Sequence, residues 1–300
     1  MTRSGTTAGG ETTQLRPRSR TQRRLADRAA RVVMVPAALI GLAVLAWILW
    51  EVIVRGAGAI NWQFFTELPT PPGMEGGGLA NAILGTLFMT LLATGIGTPI
   101  GLLAGIYLAE FGTTSRLATA VRFTTNLLMG TPSIIIGIFV YALIVLRVGH
   151  FSGWAGAVAL AILMLPVVLR TTEDMLNLVP DELRESALAL GAPRWRATVT
   201  VIFRAAKTGL VTGILLAVAR ASGETAPLLF TALNSYYWPE SISEPTANLT
   251  VTIFNYAMSP YADWQQKAWG ASLLITVGVL FVAVLSRFVL RDRKSRTWSR

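Results

Sequence analysis

Residues 170–209 read RTTEDMLNLVPDELRESALALGAPRWRATVTVIFRAAKTG, and they differ sharply from what surrounds them. Six of the 26 lysines and arginines of the chain fall between Arg170 and Lys207. Apolar runs flank the stretch, from about Gly153 to Leu169 and from about Thr208 to Thr231. Pro180 followed by Asp181 and Glu182 predicts a helix start, because acids in a first turn meet the positive end of the helix dipole. Leu183, Ala187 and Leu190 then recur at helical spacing. Gly191 stops that helix and Pro193 opens the next. The pattern predicts two short helices on a membrane surface, joined at Gly191. A short charged helix held there is a handle for another protein.

The membrane itself follows from composition. The chain has 300 residues, of which 53% are hydrophobic and only 14% charged, and its mean hydropathy is +0.54. An average soluble domain carries roughly 25% charged residues. Low hydrophobicity, the mark of a disordered chain, is missing here. Zero cysteines exclude disulfides, thiolate zinc sites, iron–sulfur clusters and thiol nucleophiles. A single histidine, His150, leaves no His pair for a metal. The fold class expected is all-α, a polytopic membrane protein with no catalytic or metal centre of its own.

A spanning helix needs about 20 mostly apolar residues. Six stretches qualify: 32–54, 80–108, about 123–146, about 153–169, about 208–231 and 268–290. Six spans put both termini and the even-numbered connections on one side. That side carries 22 lysines and arginines, the other side three, and Arg220 lies inside a span. The positive-inside bias then places both termini in the cytoplasm. Nucleic acid is not an expected partner, because the basic residues cluster at span ends and not on one face. Residues 1–31 read as a disordered basic tail, topogenic and drawn to anionic lipid, with residues 32–79 as an uncleaved anchor and external loop. Residues 80–290 form the main membrane domain, and 291–300 a second basic tail. In the external connections, Pro69, Pro71, Pro72 and Gly76 to Gly78 break helix. Trp238, Trp264 and the nearby tyrosines are either an interfacial belt or a docking surface.

Glu185-Ser186-Ala187-x-x-x-Gly191 resembles the EAA loop of ABC importer permeases. In that family the loop forms a coupling helix that docks into a groove on the ATPase subunit. The family pattern continues to Ile-x-Leu-Pro, whereas this chain has Val201, Ile202, Phe203 and Arg204 there. Without the proline, the helix is expected to run on into the fifth span. Arg220-Ala-Ser-Gly-Glu-Thr-Ala-Pro-Leu228, Asn126 to Gly137 (NLLMGTPSIIIG) and Leu165-Pro-Val-Val-Leu-Arg-Thr-Thr-Glu-Asp174 resemble motifs of the phosphate ABC transporter permeases, the PstA and PstC pair. The likeness covers roughly residues 80–290 and leans to the A-type (PstA-like) subunit. It implies a MetI-like permease core in a bacterial plasma (inner) membrane. It also implies a C-type permease as heterodimer partner, two ATPase subunits that use ATP, and an extracytoplasmic phosphate-binding protein. No G-x-x-x-x-G-K-[ST] occurs, so this chain is expected to bind no nucleotide or other cofactor.

An ionisable residue inside a span is a functional candidate. Arg220 and Glu224 are four apart and are expected to share a helix face. A guanidinium offers a planar fork of donors to a phosphate edge. A carboxylate accepts the O–H that phosphate carries near neutral pH and that sulfate lacks. The plain alternative is a structural ion pair. Arg170 is either a lower positive station on an anion path or an interfacial anchor. Pro132 and Ser133 either unwind the third span toward the path or make a packing kink. Gly95, Gly97, Gly101 and Gly105 predict close helix packing. The competing functions are an ABC permease for sulfate or molybdate and a stand-alone secondary transporter. The latter predicts inverted repeats, which the sequence does not display.

Overall fold

The computed structural model describes residues 20–74, 76–112 and 115–291, and all regular structure in them is helical. Most of the basic tail (1–19) and the final residues 292–300 lie outside the described residues. Residues 20–31, assigned above to the tail, are the start of α1 (Arg20–Ala57).

The chain divides into two compact units, 1–51 and 52–300. In the first, α1 exposes Val33, Leu39, Trp47 and Trp50. A helix that is apolar all round and uncovered by its own unit suits a lipid or protein environment, not water.

The second unit contains α2 (Trp62–Thr66), α3 (Ala80–Glu110), α4 (Arg116–Gly130) and α5 (Ser133–Val148). Then come α6 (Gly153–Asn177), α7 (Asp181–Ala189), α8 (Arg194–Ser222), α9 (Ala226–Leu229), α10 (Leu249–Ala257) and α11 (Ala262–Arg291). Among the described residues, five helices are long and apolar enough to cross a membrane: α1, α3, α6, α8 and α11. Helices α4 and α5 make a sixth span only as a pair, bent by 107°.

The bend lies at Pro132 and Ser133, where the sequence predicts an unwinding or a kink of the third span. Thr131 precedes Pro132 and is extended, with φ −79° and ψ 130°. The proline ring bars the helical region for the residue before it and offers no N–H to continue the ladder.

Two further boundaries differ. Helix α6 does not stop at Leu169 but runs through Arg170, Glu173 and Asp174 to Asn177. Its charges sit at helical spacing and pair, Arg170 with Glu173 at 3.6 Å and with Asp174 at 3.2 Å. Of the two surface helices expected around Gly191, only α7 is separate. The second is the first turn of α8, which runs on into the fifth span as the missing proline predicts, through a π-helical turn at Thr198–Ile202, to Ser222. The fifth span thus starts earlier than Thr208 and breaks at Gly223, before Thr231.

The central packing is α3 against α6. A Cβ on Gly101 would lie 2.8 Å from Val168 Cβ, and one on Gly105 would lie 2.5 Å from Thr172 Cβ. Gly97 likewise faces Ala161 and Met164, so three small residues at spacing four form a seam. Gly95 faces open space and is no part of it. Met89, Ala93, Leu160, Met164 and Val168 fill the core beside this seam. The seam brings the charged end of α6 level with the last turn of α3. At the other end of the bundle the Pro- and Gly-rich loop is clamped rather than loose. Lys267 Nζ donates to Thr70 Oγ1 at 3.1 Å and to Gly76 O at 2.5 Å. Tyr256 stacks on Trp264 there, with ring centroids 4.3 Å apart.

Candidate functional site

Two of the motifs singled out in the sequence meet in space. A Cβ on Gly137 would lie 2.6 Å from Pro227 Cα, so α5 and α9 approach backbone to backbone. Only glycine permits that approach. The NLLMGTPSIIIG and RASGETAPL segments are therefore one structural unit, with α8 ending between Arg220 and Glu224. Pro132 and Ser133 sit at the 107° break that aims α5 toward this unit.

The break alters the Arg220–Glu224 geometry. The two residues do not share one helix face, because Glu224 lies beyond the end of α8. Thr250 Oγ1 donates to the Glu224 backbone carbonyl at 2.8 Å and fixes its position. Arg220 Nε and Glu224 Oε1 are 3.7 Å apart, an ion pair too long for a hydrogen bond. The Arg220 side chain is 66% exposed and that of Glu224 18%. The two residues border a small cleft with Leu163, Met164 and Val167 of α6. The guanidinium donors of Arg220 therefore face outward from this chain, and an anion could be held there by charge-assisted bonds.

Arg170 belongs to a different cluster. Glu173 is buried and accepts from Arg122 Nε at 2.6 Å, and Arg122 Nη2 donates to Leu108 O at 3.1 Å. Arg170 reaches Glu173 and Asp174 from the exposed side. The cluster ties α4 to α6 and to the end of α3. Sequence reasoning alone does not single out Arg122 or Glu173. Each is a charge inside or beside an apolar stretch, and that was the signal available.

Helix α7 presents the EAA-like segment. Glu185 and Ser186 are exposed and Ala187 is buried. Gly191 has φ +80°, and the Ala192 N–H bonds back to Ala187 O at 3.2 Å, closing the helix with a left-handed cap. Of the stripe Leu183, Ala187 and Leu190, only Ala187 turns inward. Leu190 is 89% exposed and Leu183 42%. The expected apolar face is thus left open, which fits a surface covered by another chain.

Comparison with known proteins places these features. Residues 97–295 match the family described as binding-protein-dependent transport system inner membrane component. The chain belongs to that family. The permease is 50% identical over 272 residues to the phosphate transport system permease protein PstA of Yersinia pestis, covering 91% of this chain and 92% of that one. It is 51% identical over 256 residues to the protein of the same name from Haemophilus influenzae, covering 85% and 90%. In fold it is similar to the methionine ABC transporter MetNI in an inward-facing conformation, with TM-score 0.60 at 21% identity, over 71% of this chain and 94% of that one. The permease is a multi-pass membrane protein with a MetI-like core.

Proposed function

We propose that this permease is one of two different membrane subunits of an ATP-driven importer of inorganic phosphate. The observation that carries the reading is the 50% identity to a phosphate permease across nine-tenths of both chains. Its partners are a C-type permease as heterodimer, two ATPase subunits and an extracytoplasmic phosphate-binding protein. Both termini and α7 lie in the cytoplasm of a bacterial cell, as the lopsided distribution of lysine and arginine favours. The permease itself binds no nucleotide or cofactor, and ATP is hydrolysed by the ATPase subunits.

Arg220 and Glu224 form the selective station of the path. The open guanidinium of Arg220 receives phosphate oxygens as a fork. Glu224 accepts the O–H of HPO₄²⁻ or H₂PO₄⁻, and it repels an anion that has no proton to give. Arg170 lies on the exposed side of its cluster as a weaker station nearer the cytoplasm. The break at Pro132 and Ser133 lets α5 support Gly137 against Pro227. Glu185, Ser186, Ala187 and Gly191, with the uncovered Leu183 and Leu190, make the surface that seats in the ATPase subunit. Closure of the ATPase dimer moves α7 and turns the helices from inward- to outward-open.

The test is labelled-phosphate uptake by phosphate-starved cells lacking this chain and complemented with it, in excess unlabelled sulfate. Restored uptake that ignores sulfate is expected. Uptake abolished by sulfate, or not restored, overturns the phosphate assignment.

A further inference from the structure

We propose that Arg184 is the positioning residue that carries motion from the partner-facing helix α7 into the membrane helices. The proposal rests on the reading of α7 as the ATPase-docking helix and adds the element through which docking acts.

A guanidinium has five N–H donors. In Arg184 all of them are engaged within the chain. Nε and Nη2 donate to Glu110 Oε1 at 3.2 and 3.1 Å. Nη2 also donates to Leu176 O at 2.7 Å. Nη1 donates to Val179 O at 2.7 Å and to Asp181 Oδ1 at 2.9 Å. Glu110 is the last residue of α3, and Leu176 lies in the last turn of α6. One side chain on α7 therefore grips the ends of two membrane helices together.

The grip is built for stiffness. The Arg184 side chain is 20% exposed and that of Glu110 9%. Leu176 O already accepts the Val179 N–H at 3.2 Å, and the guanidinium adds a charge-assisted bond to its second lone pair at the end of the helix. Pulling Arg184 away would leave the shielded Glu110 carboxylate without its cation, which is costly. Small displacements of α7 are therefore followed by α3 and α6, not absorbed at the joint. Those two helices are the pair locked along Gly97, Gly101 and Gly105. Glu185, the next residue, is exposed. Adjacent residues on α7 thus divide the work: Glu185 faces a partner and Arg184 faces the permease.

The geometry also explains why the residue is arginine. Lysine keeps the charge, but its ammonium is a point charge with three donors, and it cannot reach all four acceptors from one rigid plane.

The experiment uses the complete importer in proteoliposomes, with wild type, Arg184→Lys, Glu110→Gln and the double variant. Phosphate moved and ATP hydrolysed are measured on the same samples. Both single variants are expected to keep hydrolysis within about twofold while phosphate moved per ATP falls about tenfold, a typical loss of coupling. The double variant should lose no more than the worse single variant, since the two residues share one contact. An unchanged ratio overturns the proposal, even where both rates fall together. So does failure of both variants to assemble, which would make Arg184 a folding determinant only. Wild type separates this from the functional reading: if wild type itself moves no phosphate with ATP, it is that reading which fails.

Discussion

Arg184 has all five of its donors engaged and a side chain 20% exposed, whereas Arg220 has one ion pair at 3.7 Å and a side chain 66% exposed. The head groups are identical, so the difference lies in what the backbone brings to each. Around Arg184 two helices end, and Glu110, Asp181 and the carbonyls of Leu176 and Val179 fill the plane of the guanidinium. Around Arg220 a helix breaks at Gly223, and the nearest carboxylate stays out of hydrogen-bond range. An arginine with every donor filled has nothing left to offer an anion and can only hold parts together. One with open donors exchanges water for phosphate oxygens with little rearrangement. Saturation of the donors thus separates a fastener from a binding group.

The hardest test of this contrast is Arg220→Gln. Phosphate uptake per assembled complex is expected to fall about tenfold or more, the equivalent of losing one hydrogen bond to a charged group, roughly 1.5–3 kcal/mol. Labelled uptake into vesicles of matched complex content measures it, and near-normal uptake would make Arg220 another structural residue. Glu224→Gln comes next. It should lower the preference for phosphate over sulfate by about tenfold, because an amide neither repels sulfate nor strictly requires the substrate proton. Competition by sulfate in the same assay reads the ratio. If the complex assembles and the ratio is that of wild type, Glu224 has no part in selection.

The helices were visible in the sequence wherever one local property was enough. Long apolar runs marked five straight spans, and small residues at spacing four marked the seam through Gly97, Gly101 and Gly105. Gly95 was grouped with them although it lies two residues before Gly97, a spacing that turns it off their helix face, and it meets open space. Pro132 announced a break but not its angle, since a proline fixes one dihedral and packing sets the rest. The apolar run to about Thr231 shows no end at Gly223, so Glu224 was placed on a helix face it does not occupy. Arg184 was hidden for a different reason. Two of its four acceptors are backbone carbonyls, which any residue supplies, and Glu110 lies 74 positions away. A junction of that kind has no local signature.

Arg122 is the intermediate case and sharpens the comparison with the smallest expected effect. It donates to Glu173 Oε1 at 2.6 Å and to Leu108 O at 3.1 Å, and its side chain is 33% exposed. If donor saturation is what matters, this arginine fastens α4 to the α3–α6 pair but holds it less completely than Arg184 holds α7. Arg122→Lys retains an ion pair with the buried Glu173 and gives up the carbonyl of Leu108, a loss of about 1 kcal/mol. For a protein of this size that corresponds to roughly 2–4 °C in apparent Tm. The detergent-solubilised complex should therefore melt slightly earlier, while phosphate uptake per folded complex and phosphate moved per ATP stay at wild-type values. A fall in either quantity, without a change in melting, would mean that Arg122 acts on the substrate path or the coupling step. Partial engagement of a guanidinium would then no longer mark a residue that only fastens.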